Sequence, residues 1–207
     1  MATVLLLRHG VTDWNQERRI QGWGPVPLNE TGRAQASAAG RRLAERYNVD
    51  RVLASDLERT RETAELVTEA GVDAAIETSA DWRERDLGVY QGLLYEEVFE
   101  RHPEYDVTGG IVGLDVAPER GESLREMAER VHDGWERLLA ESDDGETVLV
   151  VTHGGPIYLV LGRVKGLDLA RAIADHRQDN CALNEIDHAS PAGEGTIRVE
   201  NDTGHLG

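Results

Sequence analysis

The sequence predicts an α/β fold: a three-layer sandwich with a mainly parallel central sheet, helices on both faces and a C-terminal β-hairpin. Three observations predict it. Two short apolar runs, Val4–Leu7 and Thr147–Val151, break abruptly into polar residues, as buried central strands do. Stretches with helical spacing of apolar residues lie between them, so strands and helices alternate. The tail differs, with strand-like Cys181–Ile186 and Thr196–Val199 separated by the turn-rich stretch Ser190–Gly195.

The elements follow in chain order. Val4–Leu7 is the first strand. Thr31 is placed to cap a helix through Ala36, Ala39 and Leu43 that reaches about Tyr47. Arg51–Ala54 is strand-like, and Leu57, Thr60, Ala64 and Val67 share one face of the next helix. Leu93–Pro118 holds a short helix and then a connection with Gly and Pro; it reads as an insertion, at about 93–120, over the end of the sheet where the site is expected. Ser123 precedes a longer helix with Leu124, Met127, Ala128, Val131, Trp135 and Leu138 on one face. Gly121 and the Asp143-Asp144-Gly145 turn bound it. No repeat, low-complexity tract or linker interrupts the chain, so residues 1–207 read as one domain, which suits the length.

Composition narrows the partners. Against 39 Asp and Glu stand 22 Lys and Arg, for a net charge of -17. Lys165 is the only lysine; the other basic residues are all arginine. Such an acidic, lysine-poor chain fits a high-salt cytoplasm such as that of halophilic archaea, the alternative being an acidic protein of a GC-rich genome. Nucleic acid is an unsuitable partner, because a phosphate backbone needs a basic face and Arg18-Arg19 and Arg41-Arg42 are only pairs. Cys181, alone, can form neither an internal disulfide nor a cysteine zinc site. No apolar run is long enough for a membrane span and no signal peptide opens the chain, so a soluble, cytoplasmic protein is expected.

The chemistry gathers at two strand ends. Arg8-His9-Gly10 follows the first strand, and ligands of open α/β sheets bind beyond the carboxyl ends of strands. Arg8 offers a planar donor fork suited to phosphate, and Gly10 lets the backbone turn and approach a ligand. Thr152-His153-Gly154-Gly155 follows the most β-branched strand, and Pro156 suits the first turn of a helix whose free N–H groups favour an anion. Either site alone could be a structural histidine; the two together are hard to ascribe to chance.

On these and further motifs the chain resembles the histidine phosphatase superfamily, the phosphoglycerate mutase-like proteins. Leu5–Gly10 matches its defining motif, continued by Thr12, Trp14 and Asn15, then Gln21-Gly22-Trp23, Pro27-Leu28 and Thr31-Gly32. Ser55-Asp56-Leu57-Glu58-Arg59-Thr60, Trp82–Gly88 and Gly121-Glu122-Ser123 follow in family order, so the resemblance covers about residues 3–187. It implies that His9 is the nucleophile and becomes phosphohistidine, that Arg8, Arg59 and His153 surround the phosphoryl oxygens, and that Glu84 is the proton donor and then the base. Asn15, Gln21, Gly22 and Gly154 are implied as substrate-binding positions. It implies neither a metal nor a cofactor.

These residue types suit the reaction. Phosphoryl transfer spreads negative charge over equatorial oxygens, which fixed donors and cations stabilise. The attacking histidine nitrogen must be unprotonated while the other holds its N–H against an acceptor, for which a backbone carbonyl near Gly154 is one candidate. Without the family, Arg59 and Glu84 would read as solvated surface residues and Asn15 as a turn or cap residue. Trp14, Trp23 and Trp82 read as packing residues, and His102, His132, His176 and His188 as structural or surface ones. A metal-dependent phosphatase would need carboxylates beside the strand-end histidines, where this chain has Arg and Gly.

Three functions share these residues. Hydrolysis of small phosphate monoesters is preferred. A cofactor-dependent phosphoglycerate mutase would need further cations in the insertion, and Leu93–Arg120 holds only Arg101 and Arg120. A non-catalytic binder would have lost His9 or Glu84. Arg120 is a surface residue or, alternatively, a contact for a second anionic group on the substrate. The partner expected is a small phosphorylated metabolite, and the oligomeric state stays open, a homodimer being one option.

Overall fold

The two apolar runs become neighbours in the middle of one sheet. The computed structural model describes residues 1–105, 113–175, 177–189 and 195–207. Its strands are β1 (Ala2–Arg8), β2 (Arg51–Ser55), β3 (Ile76–Ser79), β4 (Thr147–Thr152), β5 (Leu183–Ala189) and β6 (Thr196–Asp202). They form one sheet in the order β3-β2-β4-β1-β5-β6. The first four are parallel, whereas β5 runs antiparallel to β1 and pairs with β6 as a hairpin. The turn expected at Ser190–Gly195 lies, but for its last residue, outside the described residues, as do His176 and the side chain of His188.

The helices are α1 (Asp13–Gln16), α2 (Glu30–Arg46), α3 (Glu58–Glu69), α4 (Tyr95–Arg101), α5 (Leu124–Glu141), α6 (Gly154–Val164) and α7 (Leu169–Ala174). Alternating residues of the central strands feed two separate cores. Leu5, Leu7, Val52, Ala54, Leu149 and Val151 pack with Ala36, Ala39, Leu43, Ala64 and Val67 of α2 and α3. Val4, Leu6, Leu53, Val148 and Val150 pack with Met127, Val131, Trp135, Leu138 and Ile157 of α5 and α6. A strand covered on both faces needs apolar side chains at successive positions, which is why β1 and β4 read as runs and not as alternation.

Three boundaries differ from expectation. Asn29, not Thr31, caps α2: its Oδ1 accepts from the Gly32 N–H at 2.9 Å, and Thr31 is exposed one residue inside the helix. Leu57 is the cap residue of α3 and is only partly buried, so the buried face is Arg59, Thr60, Thr63, Ala64 and Val67. Cys181 precedes β5: at φ 53° it turns the chain into the strand, with its N–H on the carbonyls of Arg8 and His9. The Ser123 cap of α5 stands as expected, closed by Glu126 into a reciprocal capping box.

The insertion packs on the rest of the chain through a small core of its own, Ile20, Leu87 and Val98 with Tyr90 and Phe99 against it. A bridge between Arg19 and Leu94 ties it to the segment after α1. This places α4 and Tyr105 along a cavity at the carboxyl ends of β1 and β4.

Candidate active site

The parallel register of β1 and β4 builds the centre. Arg8 lies opposite Thr152, so the next residues, His9 and His153, leave the sheet side by side. The His9 N–H donates to the Thr152 carbonyl at 2.9 Å, and the two rings meet edge to face with centroids 5.1 Å apart. Both histidines are buried. At Gly10 a side chain would collide with the backbone of Gly32, its Cβ 2.5 Å from the Gly32 carbonyl oxygen. Close approach of this turn to α2 therefore accounts for that glycine, which was expected to serve a ligand.

The tautomer of His9 follows from its two neighbours. Nδ1 lies 2.8 Å from the Gly10 carbonyl, which can only accept, so Nδ1 carries the hydrogen. Nε2 receives the Nε–H of Arg59 at 3.3 Å, which requires a lone pair there. The acceptor is thus the Gly10 carbonyl and not one near Gly154. Burial, then Arg59 and Arg8, hold the imidazole pKa well below its ordinary value, against the pull of the Gly10 bond. At neutral pH His9 is an uncharged imidazole with Nε2 unprotonated.

Arg59 enters from the first turn of α3 and is 1% exposed. Its Nη2 donates to the Gly22 carbonyl at 2.7 Å and its Nη1 to that of Gly24 at 3.3 Å. Burial lowers its pKa to about 10 while Glu84 acts in the opposite sense, so it stays cationic. Arg8 donates to the Gln178 carbonyl, and its buried Nε has no partner among the described residues. His153 has Nε2 2.9 Å from the hydroxyl of Ser55, at the end of β2. That hydroxyl oxygen also accepts from the Leu57 N–H at 3.4 Å. The His153 Nδ1 is buried and has no hydrogen-bond partner among the described residues. Burial first, then Arg59, His9 and Arg8, hold His153 neutral as well.

Glu84 comes from the loop after β3, far along the chain from both strand ends. Its carboxylate accepts from the N–H of Arg85 at 2.9 Å and of Gly155, in the first turn of α6, at 3.2 Å. Gly155 must lack a side chain: a Cβ there would stand 2.3 Å from Glu84 Oε1 and 2.4 Å from the Met127 terminal methyl. The Glu84 carbonyl is held by the indole N–H of Trp23 at 2.7 Å and by Arg130 of α5 at 3.3 Å. Trp23, expected to pack, therefore also fixes the segment that carries the carboxylate.

Arg8, His9, Asn15, Gln21, Gly22, Arg59, Glu84 and Gly154 line one cavity of about 550 Å³, with His153 buried behind it. Asn15 is both a cap and a wall residue, its Oδ1 accepting from the Thr12 N–H at 3.1 Å. Gln21 Oε1 accepts from the Thr12 hydroxyl at 3.1 Å. Arg120 is not brought to the cavity; it is exposed, at a turn with φ 62°.

Sequence reasoning missed the supports and the outer wall. Asn180 donates to the His9 carbonyl at 3.0 Å, and the buried amides of Gln178 and Asn184 bond reciprocally at 2.9 Å behind Arg8. Tyr95, Phe99 and Tyr105 of the insertion line the outer cavity, as do Leu124 and Met127, which had been assigned to the core alone. Among the described residues, no group of three or more His, Cys, Asp or Glu could hold a metal ion, and no helix is long and apolar enough to cross a membrane.

The comparisons with known proteins agree with this geometry. The family model described as histidine phosphatase superfamily (branch 1) matches residues 4–203. The chain is 35% identical to phosphoglycerate mutase-like protein 4 of Arabidopsis thaliana, over 99% of this chain and 87% of that one. Among solved structures, it superposes on Bacillus stearothermophilus YhfR with a TM-score of 0.87 and 30% identity, covering 100% of both chains. It superposes on a mycobacterial glucosyl-3-phosphoglycerate phosphatase, Rv2419c, in complex with VO3, with a TM-score of 0.83 and 28% identity over 97% of this chain and 99% of that one.

Proposed function

Because the chain belongs to the histidine phosphatase superfamily, branch 1, we propose that it is a metal-independent phosphatase that hydrolyses small phosphate monoesters through phosphohistidine at His9. The observation that carries this reading is the state of His9: buried, neutral, with Nδ1–H held by the Gly10 carbonyl and an unprotonated Nε2 beside Arg59. In the first step Nε2 attacks phosphorus, the P–O ester bond breaks, and protonated Glu84 gives its proton to the leaving alkoxide. In the second, Glu84 takes a proton from water, whose oxygen attacks phosphorus as the P–N bond breaks and inorganic phosphate leaves. Arg8, Arg59 and His153 stabilise the charge on the equatorial oxygens throughout.

Similarity to a mutase-like protein keeps a second reading in view, in which phosphohistidine returns its phosphoryl group to another hydroxyl of a phosphoglycerate. That reaction needs free cations for the second anionic group. The other two cavity arginines each hold neighbours with part of their donor set, Arg19 binding Glu17 and the Gly92 carbonyl and Arg85 the carbonyls of Glu122 and Val116, and residues 93–120 add only Arg101 and Arg120, the latter outside the cavity. This supports water as the acceptor. We take residues 1–207 to act as one domain, and the acidic, lysine-poor composition supports work in a high-salt cytoplasm.

Phosphate release and 3-phosphoglycerate isomerisation, measured side by side with chelator present, test the reading. Phosphate release that persists with chelator and exceeds isomerisation is expected. Isomerisation as the dominant activity would replace phosphatase with mutase, and loss of turnover that zinc or magnesium restores would overturn metal independence.

A further inference from the structure

We propose that Asn201, on the last strand, is a positioning residue for Arg8: it fixes the peptide on which the guanidinium is anchored, and so sets the grip on the phosphoryl group. This rests on the phosphatase reading, in which Arg8 holds phosphoryl oxygens, and adds a residue which that reading does not use. The starting observation is how Arg8 is held. Its Nη1 donates to the Gln178 carbonyl at 2.5 Å, while its buried Nε has no partner among the described residues. A guanidinium is a planar fork, so one anchored N–H fixes the direction of the others. Arg8 lines the cavity, and the place of the Gln178 carbonyl therefore decides where its remaining donors point.

Asn201 holds that carbonyl through its own peptide. The Asn201 Oδ1 accepts from the Asp179 N–H at 2.7 Å, and this N–H shares one peptide unit with the Gln178 carbonyl. A trans peptide is planar, with its N–H and C=O pointing in opposite directions. A bond from Asn201 on one side thus keeps the carbonyl turned towards Arg8 on the other. Asn201 Nδ2 donates to Asp179 Oδ2 at 2.9 Å, so the same side chain is tied to this residue twice. The Asn201 N–H donates to Asn184 Oδ1 at 2.9 Å. Asn184 in turn exchanges two 2.9 Å bonds with the buried amide of Gln178.

The strand is irregular where this contact is made. The register of β5 and β6 shifts, with Leu183 opposite Asp202 but Glu185 opposite Val199, and Asn201 stands in the shift at φ 52°. A bulge of this kind re-aims a side chain, and asparagine enters the left-handed region at less cost than most residues. The segment that Asn201 fixes also reaches the nucleophile. Asn180 Nδ2 donates to the His9 carbonyl at 3.0 Å, and the Cys181 N–H lies on the carbonyls of Arg8 and His9. The C-terminal hairpin is therefore built against the back of the phosphate site.

A double-mutant cycle between Asn201 and Arg8 tests the proposal, read out as inorganic phosphate affinity and as kcat/KM on an aryl phosphate. Asn201→Gly removes both side-chain bonds to Asp179 at a half-buried position, and glycine takes φ 52° without strain. The expected result is a loss of about fivefold in each readout, the worth of about one hydrogen bond. In the Arg8→Ala background the same substitution should change each by less than about twofold, which a merely structural role would not do. Asn201→Asp combined with Asp179→Asn rebuilds the pair with donor and acceptor exchanged, and should bind phosphate within about twofold of the parent. Equal losses with and without the Arg8 guanidinium, unchanged phosphate affinity in Asn201→Gly, or an exchanged pair as weak as Asn201→Gly would overturn the positioning role. If the parent turns over no ester, the phosphatase reading falls, and the phosphate-binding cycle still decides the role of Asn201.

Discussion

At the scale of single residues, the site depends on small constraints around His9 and Glu84. Gly155 shows this best, since an added methyl must push the Glu84 carboxylate aside or displace the Met127 tip, both flexible. We expect Gly155→Ala to fold and to lose about tenfold or more in kcat on alkyl phosphates. On aryl phosphates, whose leaving groups need no proton, the loss should be within about threefold. Equal losses on both would show that the methyl acts elsewhere than on Glu84. Glu84→Gln should show the same contrast more strongly, about a hundredfold on alkyl esters. At this scale the chain was readable wherever a residue sits in a motif: Arg8, His9, Arg59, Glu84 and His153 converge as the family order implies. The Gly10 carbonyl and Asn180 were not readable, because a backbone acceptor has no signature and an asparagine before a strand reads as a turn residue.

At the scale of elements, α5 acts on Glu84 through Arg130. Its Nη1 donates to the carbonyls of Ala80, Asp81 and Arg83 at 2.9–3.1 Å, its Nη2 to that of Glu84, and it pairs with Glu122. Five acceptors converge on one guanidinium, so the loop after β3 is tied to a helix on the same face of the sheet. Removing it leaves those carbonyls unpaired. Arg130→Ala should cost about 2–3 kcal/mol in urea unfolding and lower kcat on alkyl esters about tenfold with KM little changed. Arg130→Lys, which keeps the charge but not the fork, should recover only part. Unchanged kcat in the alanine variant would reduce the residue to a stabilising role. The elements legible in the sequence were those with a strong period or a clear cap, such as β1, β4 and α5. Strand β3 was invisible because an edge strand with one apolar residue, Ile76, leaves no run, and α7 because six residues span less than two turns. The α2 cap was misplaced by two residues because Asn29 and Thr31 are both plausible caps and only the fold, by burying Gly32, decides between them.

At the scale of the whole molecule, burial of titrating groups and net charge govern the response to conditions. His9 and His153 keep low pKa values when folded and regain ordinary ones, near 6.5, when unfolded. Below about pH 6.5 the unfolded state therefore binds protons that the folded state refuses, and stability falls as pH falls. Each histidine contributes up to about 1.4 kcal/mol per pH unit in that range. Urea unfolding at pH 7.5 and 5.5 should show the loss, and His153→Asn should flatten it; equal slopes in the variant and the parent would contradict the buried neutral state. The charge of -17 repels an anionic substrate at long range in dilute buffer. At 1 M salt the Debye length is about 3 Å, and the local arginines alone decide. Activity should persist or rise in molar potassium chloride, and a collapse there would count against the high-salt reading.

Rapid-quench labelling with a phosphorus-labelled aryl phosphate tests the central claim most directly, since it reports the bond we propose that His9 forms. The expected result is an acid-labile, alkali-stable phosphoenzyme that forms and decays fast enough to account for turnover and is absent from His9→Ala. Turnover without a phosphoenzyme, or label retained by His9→Ala, would contradict the account.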